Sequence, residues 1–136
     1  ELTFTAKGEW IRGRNVSHGT WLPFMPADRY TLGAQWTRSW GSTGRWQSRL
    51  SAEGISVAKQ TRFDPEHELV SDMPAGYFLL GLQGELRYTL DARRSLRFLL
   101  SSENTLNALY KESSDRFRYY AHAPGRSVTL RTILYF

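Results

Sequence analysis

Residues 77–90 of this 136-residue chain read YFLLGLQGELRYTL, and their pattern decides the prediction of the fold. From position 80 onward the even-numbered residues are apolar, apart from a glycine at 84, while the odd-numbered residues are Gly, Gln, Glu, Arg and Thr. This period of two predicts a β-strand with one apolar and one polar face. A strand across the whole segment is longer than the usual 5–6 residues, whereas a tilted membrane-spanning strand needs about 9–11. The segment therefore favours a strand with lipid on one side and water on the other.

The same alternation recurs in five further segments, which together predict an all-β, antiparallel up-and-down sheet. These segments are residues 2–13, 29–40, 45–58, 95–109 and 127–136. The connections are long, short, long, short and long in turn, and comprise residues 14–28, 41–44, 59–76, 91–94 and 110–126. Long loops at one end and short turns at the other are typical of outer-membrane β-barrels.

Aromatic residues cluster at the short-turn end of the predicted sheet. They are Trp40, Trp46, Tyr88, Tyr135 and Phe136. Amphipathic rings favour the level of the lipid headgroups, so a row of them at one end indicates an aromatic girdle at a membrane interface. The aromatics therefore support a transmembrane β-barrel independently of the alternation.

Composition and motifs argue against several other classes of protein. The chain has no cysteine, which excludes disulfides and thiolate metal sites. Its longest apolar run, residues 77–82, is far shorter than the roughly 20 residues of a membrane-spanning helix. It lacks a catalytic-triad order, a zinc-protease motif and a glycine-rich phosphate loop, so we predict that it is not an enzyme. The net charge is +5, but the arginines are interleaved with acids along the strands, which argues against nucleic-acid binding.

Six strands are too few to close a membrane-spanning barrel. The smallest common barrels have about eight strands, and inside lipid every backbone polar group needs a protein partner. Because the sequence begins inside an alternating segment at Glu1, we expect it to be the C-terminal part of a larger barrel. Two alternatives stay open: a passive channel assembled from several such chains, and a soluble β-sheet binding module.

Five stretches resemble the C-terminal barrel of TonB-dependent outer-membrane receptors. The last strand, SVTLRTILYF at 127–136, resembles the family's terminal strand, with an aromatic end and alternating apolar positions. Residues 103–110, ENTLNALY, resemble its E-N-L-x-N-x-x-Y stretch, and Pro-Gly-Arg follows at 124–126. Residues 22–29, LPFMPADR, and 74–80, PAGYFLL, are similar to its entries into strands. These matches occur in the family's order along most of the chain.

The resemblance implies that residues 1–136 are the last six strands of a barrel of about 22 strands in the bacterial outer membrane. It implies partners: outer-membrane lipid, the remaining barrel with its plug domain, the TonB complex through an N-terminal part, and the barrel-assembly machinery through Phe136. The implied function is TonB-dependent import of a scarce nutrient, with a metal ion or metal chelate (siderophore, haem or zinc) as substrate. No resident cofactor is implied.

Four loop residues are candidate metal ligands, because imidazole and carboxylate groups suit zinc and similar divalent ions. They are His18, Asp64, His67 and His122. All belong to the long connections, which share one end of the predicted sheet, so they would form a capture site there. The alternative is that they are ordinary polar residues of solvated loops.

Arginines on the polar face are candidate substrate-binding residues, since guanidinium groups hold carboxylate and phosphate in a two-pronged geometry. They are Arg49, Arg87 and Arg97. The alternative is a structural lattice of ion pairs, which would join Arg49 to Glu53, Arg87 to Glu85 and Arg97 to Glu103. We favour the lattice over the steering of anionic chelates.

Loop aromatics are the remaining substrate-binding candidates. Trp21, Tyr119 and Tyr120 have rings suited to stacking on a haem or a catecholate. The same rings are equally suited to packing the loops against one another, and the sequence does not separate the two roles.

Overall fold

The structure, a computed structural model, describes residues 1–41, 43–67 and 73–136. It contains a six-stranded antiparallel sheet in which each strand pairs with the next along the chain. The strands are β1 (Leu2–Glu9), β2 (Arg29–Trp40), β3 (Trp46–Val57), β4 (Tyr77–Thr89), β5 (Ser95–Glu103) and β6 (Ser127–Tyr135). Two 3-10 helices, Pro65–His67 and Arg116–Tyr119, lie in the long connections. The all-β, antiparallel, up-and-down prediction is confirmed, and the sheet is not closed into a barrel: β1 and β6 are its two edges.

The register between strands sorts side chains onto two faces. On one face, Trp46, Tyr88, Leu96 and Leu134 stand in a row across four strands. On the other face, the next position along β4 is Arg87, which lies opposite Gln47 and Arg97. Directly opposed residues point to the same side of an antiparallel sheet, so the alternation in sequence becomes one mainly apolar face, on which Arg38 and Ser48 also lie opposite each other, and one mainly polar face.

The apolar face is uncovered. Leu32 is 68% exposed and Leu130 is 71% exposed, and leucines between them on the same face, such as Leu82 and Leu100, are also exposed. Among the residues that the structure describes, the buried hydrophobic side chains are Met25, Val57 and Met73, of which two belong to loops and the third ends β3. The apolar face therefore does not pack into a core of this chain.

The long connections fold over the polar face at their end of the sheet. Polar-face residues of that end are covered: Thr31 is buried, and the Tyr77 ring lies 4.4 Å from the ring of Tyr110 in the last loop. Arg29 at the start of β2 forms an ion pair with Glu112 of the same loop. The three loops therefore share one end of the sheet, as the alternation of long and short connections predicts, and they also lie over the same face.

Two strands end earlier than predicted. The predicted segments run to residue 13 and to residue 109, but β1 ends at Glu9 and β5 at Glu103. After β5 the chain turns through Asn104 and Asn107, whose φ angles are +45° and +53°. Asparagine tolerates this left-handed region, and the Asn104 side chain both donates to and accepts from the backbone of Ala108. A side-chain-stabilised turn thus replaces the last part of the predicted strand.

Both short connections are tight turns, as predicted. In the first, the glycines at 41 and 44 have positive φ, and the Gly44 amide donates to the Gly41 carbonyl; Ser42 lies outside the described residues. In the second, Asp91 Oδ1 accepts hydrogen bonds from the amides of Arg93 and Arg94. No helix among the described residues is long and apolar enough to cross a membrane.

Candidate functional site

A buried carboxylate organises the polar face near the short-turn end. Glu85 of β4 lies directly opposite Arg49 of β3, and its side chain is only 8% exposed. A carboxylate oxygen of Glu85 is 3.6 Å from Nη1 of Arg49, and the other is 3.3 Å from Nε of Arg97. Two arginines from the flanking strands therefore share one acid.

The lattice of ion pairs exists, but its pairs differ from those that the sequence analysis named. Residues four apart on one strand are separated by about 13 Å, so Glu53 is far from Arg49, and Glu103 is farther still from Arg97. Directly opposed residues on neighbouring strands are only about 5 Å apart, so cross-strand contacts prevail. Glu85 consequently pairs with Arg49 and Arg97, whereas no ion pair to Arg87 is found among the described residues.

The third arginine of the group faces a like charge. Arg87 lies directly opposite Arg97 in the β4–β5 register. The Nε atoms of Arg49, Arg87 and Arg97 are buried and make no hydrogen bond to any described residue. Two guanidinium groups thus contact one carboxylate, and a third lies opposite one of them; their donors are suited to carboxylate or phosphate oxygens.

A second polar cluster holds the loops together. Gln60 is 1% exposed, and its side-chain amide donates to the carbonyls of Met25 and Pro26 at 2.8 and 2.9 Å. Its carbonyl oxygen accepts from the Arg62 amide at 3.0 Å. The hydroxyl of Ser113, in the last loop, donates to the same Met25 carbonyl. One short stretch of the first loop is therefore anchored by both of the others.

Asp28, immediately before β2, is the charged centre of that cluster. It accepts hydrogen bonds from Arg12 at 2.7 Å and from Arg62 at 2.8 Å. The bond from Arg12, and then that from Arg62, holds the pKa of the Asp28 carboxyl below its ordinary value. Asp28 and Gln60 are not among the residues predicted from the sequence, because their partners are distant along the chain and no local pattern indicates such contacts.

The candidate loop aromatics have protein partners. Trp21 has the guanidinium of Arg14 over its ring at 4.3 Å, and Tyr119 has that of Arg118 at 4.7 Å. Tyr119 also meets Phe24 edge-to-face with ring centroids 6.3 Å apart. Tyr120 is 81% exposed and has an edge contact with Tyr119. The structure thus places Tyr119 and Tyr120 together and gives Trp21 a separate partner.

The predicted metal ligands are distributed over different places. His18 and Asp64 line one cavity of about 410 Å³, together with Trp21 and Glu66. His122 lines another, smaller cavity, beside Tyr77 and Tyr110. His67 is the last residue of the 3-10 helix Pro65–His67. Over residues 1–41, 43–67 and 73–136, no group of three or more His, Cys, Asp or Glu side chains is close enough to hold a metal ion.

Comparison with known proteins does not assign the chain to a family. No protein-family model, no curated protein and no solved structure matches the chain. The resemblance to TonB-dependent receptors therefore stays a prediction from the residues.

Proposed function

We propose that this chain forms part of the wall of an outer-membrane β-barrel receptor that imports a metal ion or metal chelate in a TonB-dependent manner, without enzymatic activity. The observation that carries the proposal is the two-faced sheet. Its apolar face has exposed leucines on neighbouring strands, and its polar face carries the buried Glu85 with its partly exposed arginine partners. Lipid outside and water inside are the surroundings that such a sheet needs.

The separation of aromatic residues on the apolar face agrees with the thickness of a membrane. Tyr30 and Phe78 mark the long-loop end, and Trp40 and Tyr88 the short-turn end of the same two strands. Ten residues separate the rings on each strand, which is about 34 Å along the strand and about 24 Å across a membrane at a 45° tilt. This height agrees with the roughly 25 Å apolar band of outer-membrane barrels, which has aromatic girdles at both interfaces.

The pairing of two rings at the long-loop end fits the same proposal. The indole N–H of Trp10 donates to the hydroxyl of Tyr30 at 3.3 Å, and the rings meet edge-to-face. Both rings are exposed on the apolar side. Amphipathic rings with a polar atom near the strand end are the residues that a lipid headgroup region favours.

The packing of the long loops favours a receptor function over a passive channel. Three long connections pack together around Asp28 and Gln60, and they carry stacked aromatic and arginine side chains such as Tyr119 and Arg118. Binding residues are commonly carried on loops that a rigid scaffold positions. Together with the sequence resemblance, this arrangement favours a loop surface that captures a substrate.

The membrane part of the proposal is tested on two adjacent residues. The chain has no cysteine, so L82C and Q83C each introduce a single reactive thiol, on the apolar and on the polar face. In vesicles that contain the whole barrel to which this chain belongs, we expect a fluorophore on L82C to be quenched by a lipid-attached quencher, and Q83C to react with a water-soluble maleimide. Equal access of the water-soluble reagent to both thiols, without lipid quenching, would contradict the proposal.

The transport part is tested by energy coupling. Cells that depend on the intact receptor should accumulate its metal or metal chelate only while TonB and the proton-motive force are present. Uptake that persists without TonB would contradict the receptor and favour the passive channel, even if the labelling of L82C and Q83C agrees with a membrane-spanning sheet.

A further inference from the structure

We propose that the polar face carries a binding site for a small polyanion, with two or more carboxylate or phosphate groups, formed by Arg49, Arg87 and Arg97 around Glu85. The inference rests on the proposed function, because the polar face then lines the water-filled interior through which the solute passes. It adds the chemical class of the substrate, which is anionic.

The lengths of their ion pairs separate Arg49 and Arg97 from other arginines that pair with an acid in the described part of the chain. Arg12 meets Asp28 at 2.7 Å and Arg94 meets Asp91 at 2.6 Å, which are the lengths of closed, charge-assisted hydrogen bonds. The contacts of Glu85 with its two arginines are 3.3 and 3.6 Å. Glu85 therefore attracts these guanidinium groups without satisfying their donors.

The register makes the local excess of positive charge unavoidable. Arg87 and Arg97 are directly opposite each other, and like charges in that position destabilise a sheet. The neighbouring position opposite Arg87 on β3 is Gln47, which carries no charge. An oxyanion between the two guanidinium groups would turn their repulsion into two attractions, which is the physical basis for binding.

Partial burial of the arginine donors makes each contact with an anion contribute more to the free energy of binding. The Nε atoms of Arg49, Arg87 and Arg97 are buried without a hydrogen-bond partner in the described part of the chain. The guanidinium of Arg97 also lies 5.4 Å over the ring of Tyr135, which limits its orientations. Partly desolvated and oriented donors lose less on binding an anion than freely hydrated ones do.

The experiment measures the binding of propane-1,2,3-tricarboxylate and of inorganic phosphate to the purified barrel that contains this chain, in detergent micelles, by titration calorimetry. We expect both anions to bind. The neutral analogue propane-1,2,3-tricarboxamide should not bind. R87Q should weaken the tricarboxylate affinity by about tenfold. The matched control R93Q removes the same charge from the second short turn and should change the affinity by less than about twofold.

A second variant separates binding from a purely structural role. E85Q removes the carboxylate that competes with the ligand, so it should tighten tricarboxylate binding by about fivefold. A structural lattice predicts no gain of this kind. Circular dichroism of each variant checks that the sheet is retained.

Three outcomes would overturn the inference: no binding of either anion at millimolar concentration, equal losses in R87Q and R93Q, or binding of a hexaglutamate peptide without binding of the tricarboxylate. The last outcome would assign the surface to an acidic polypeptide. None of them affects the labelling of L82C and Q83C, so failure of the anion site and failure of the membrane proposal are distinguishable.

Discussion

Asp28 connects two of the three long loops through ion pairs with Arg12 and Arg62. A carboxylate whose pKa is lower in the folded than in the unfolded chain stabilises the fold above its unfolded pKa, which is about 3.9 for aspartate. That contribution is lost as the pH falls from about 4 through the lower, folded pKa. The loop end of the sheet should therefore loosen in acid.

We predict that hydrogen-exchange protection of the loop amides around Gln60 falls several-fold below pH 4, after correction for intrinsic exchange rates. The variant D28N should show the reduced protection already at pH 7 and little further change with pH. D91N is the matched control, because its Arg94 partner lowers the pKa of that carboxyl to about 2 at the opposite end of the sheet. Loss of loop protection in D91N to the same extent as in D28N would contradict the role of Asp28.

At the scale of single strands, the alternation predicted all six strands, but it predicted where they end less accurately. The bounds of β2, Arg29–Trp40, agree with the predicted 29–40, because an aspartate before it and a glycine after it stop the pattern. The predicted strand 95–109 runs past Glu103, although residues 101–105 are all polar; Asn104 bonds locally with Ala108 and ends β5. Local side-chain hydrogen bonds of this kind compete with sheet pairing.

The register explains which contacts of the candidate site were predictable. Strands β4 and β5 are joined by a short turn, but counting outward from the predicted turn at 91–94 pairs Arg87 with Phe98, one residue away from its observed partner Arg97. Strands β3 and β4 are joined by a long loop, which leaves their register undetermined, so the contact between Arg49 and Glu85 could not be predicted. The cluster around Gln60 depends on the packing of three loops, so it could not be predicted from the sequence either.

The two faces of β4 give a prediction for the whole strand. In lipid vesicles that contain the whole barrel to which these strands belong, we expect L82R to lower the free energy of unfolding by about 2–4 kcal/mol, because it places a guanidinium near the middle of the lipid-facing side. Q83R, at the adjacent position on the polar face, should change the free energy of unfolding by less than about 1 kcal/mol. Unfolding by urea measures both values, and a larger loss in Q83R than in L82R would mean that the faces are reversed.

At the scale of the whole molecule, the two edges of the sheet determine whether it can lie in a membrane. The outer strands β1 and β6 are separated by four others, about 24 Å across the sheet at the usual strand spacing. Each carries backbone N–H and C=O groups on its outer side, and leaving such groups unpaired in lipid costs several kcal/mol apiece. A membrane-spanning form therefore needs further strands beside both edges.

We predict that an antibody against the first long loop, residues 10–28, detects in outer-membrane fractions a polypeptide much longer than this 15.7 kDa chain. In detergent it should migrate faster before boiling than after, because a closed barrel is compact and binds less detergent than an unfolded chain. A single long polypeptide would supply the missing strands next to both β1 and β6. A ladder at multiples of 15.7 kDa would instead show that several copies close the barrel, which contradicts the receptor and favours the assembled channel. Recovery of the chain in the soluble fraction without detergent would contradict both, since the exposed leucines of its apolar face would then have to be covered by another protein.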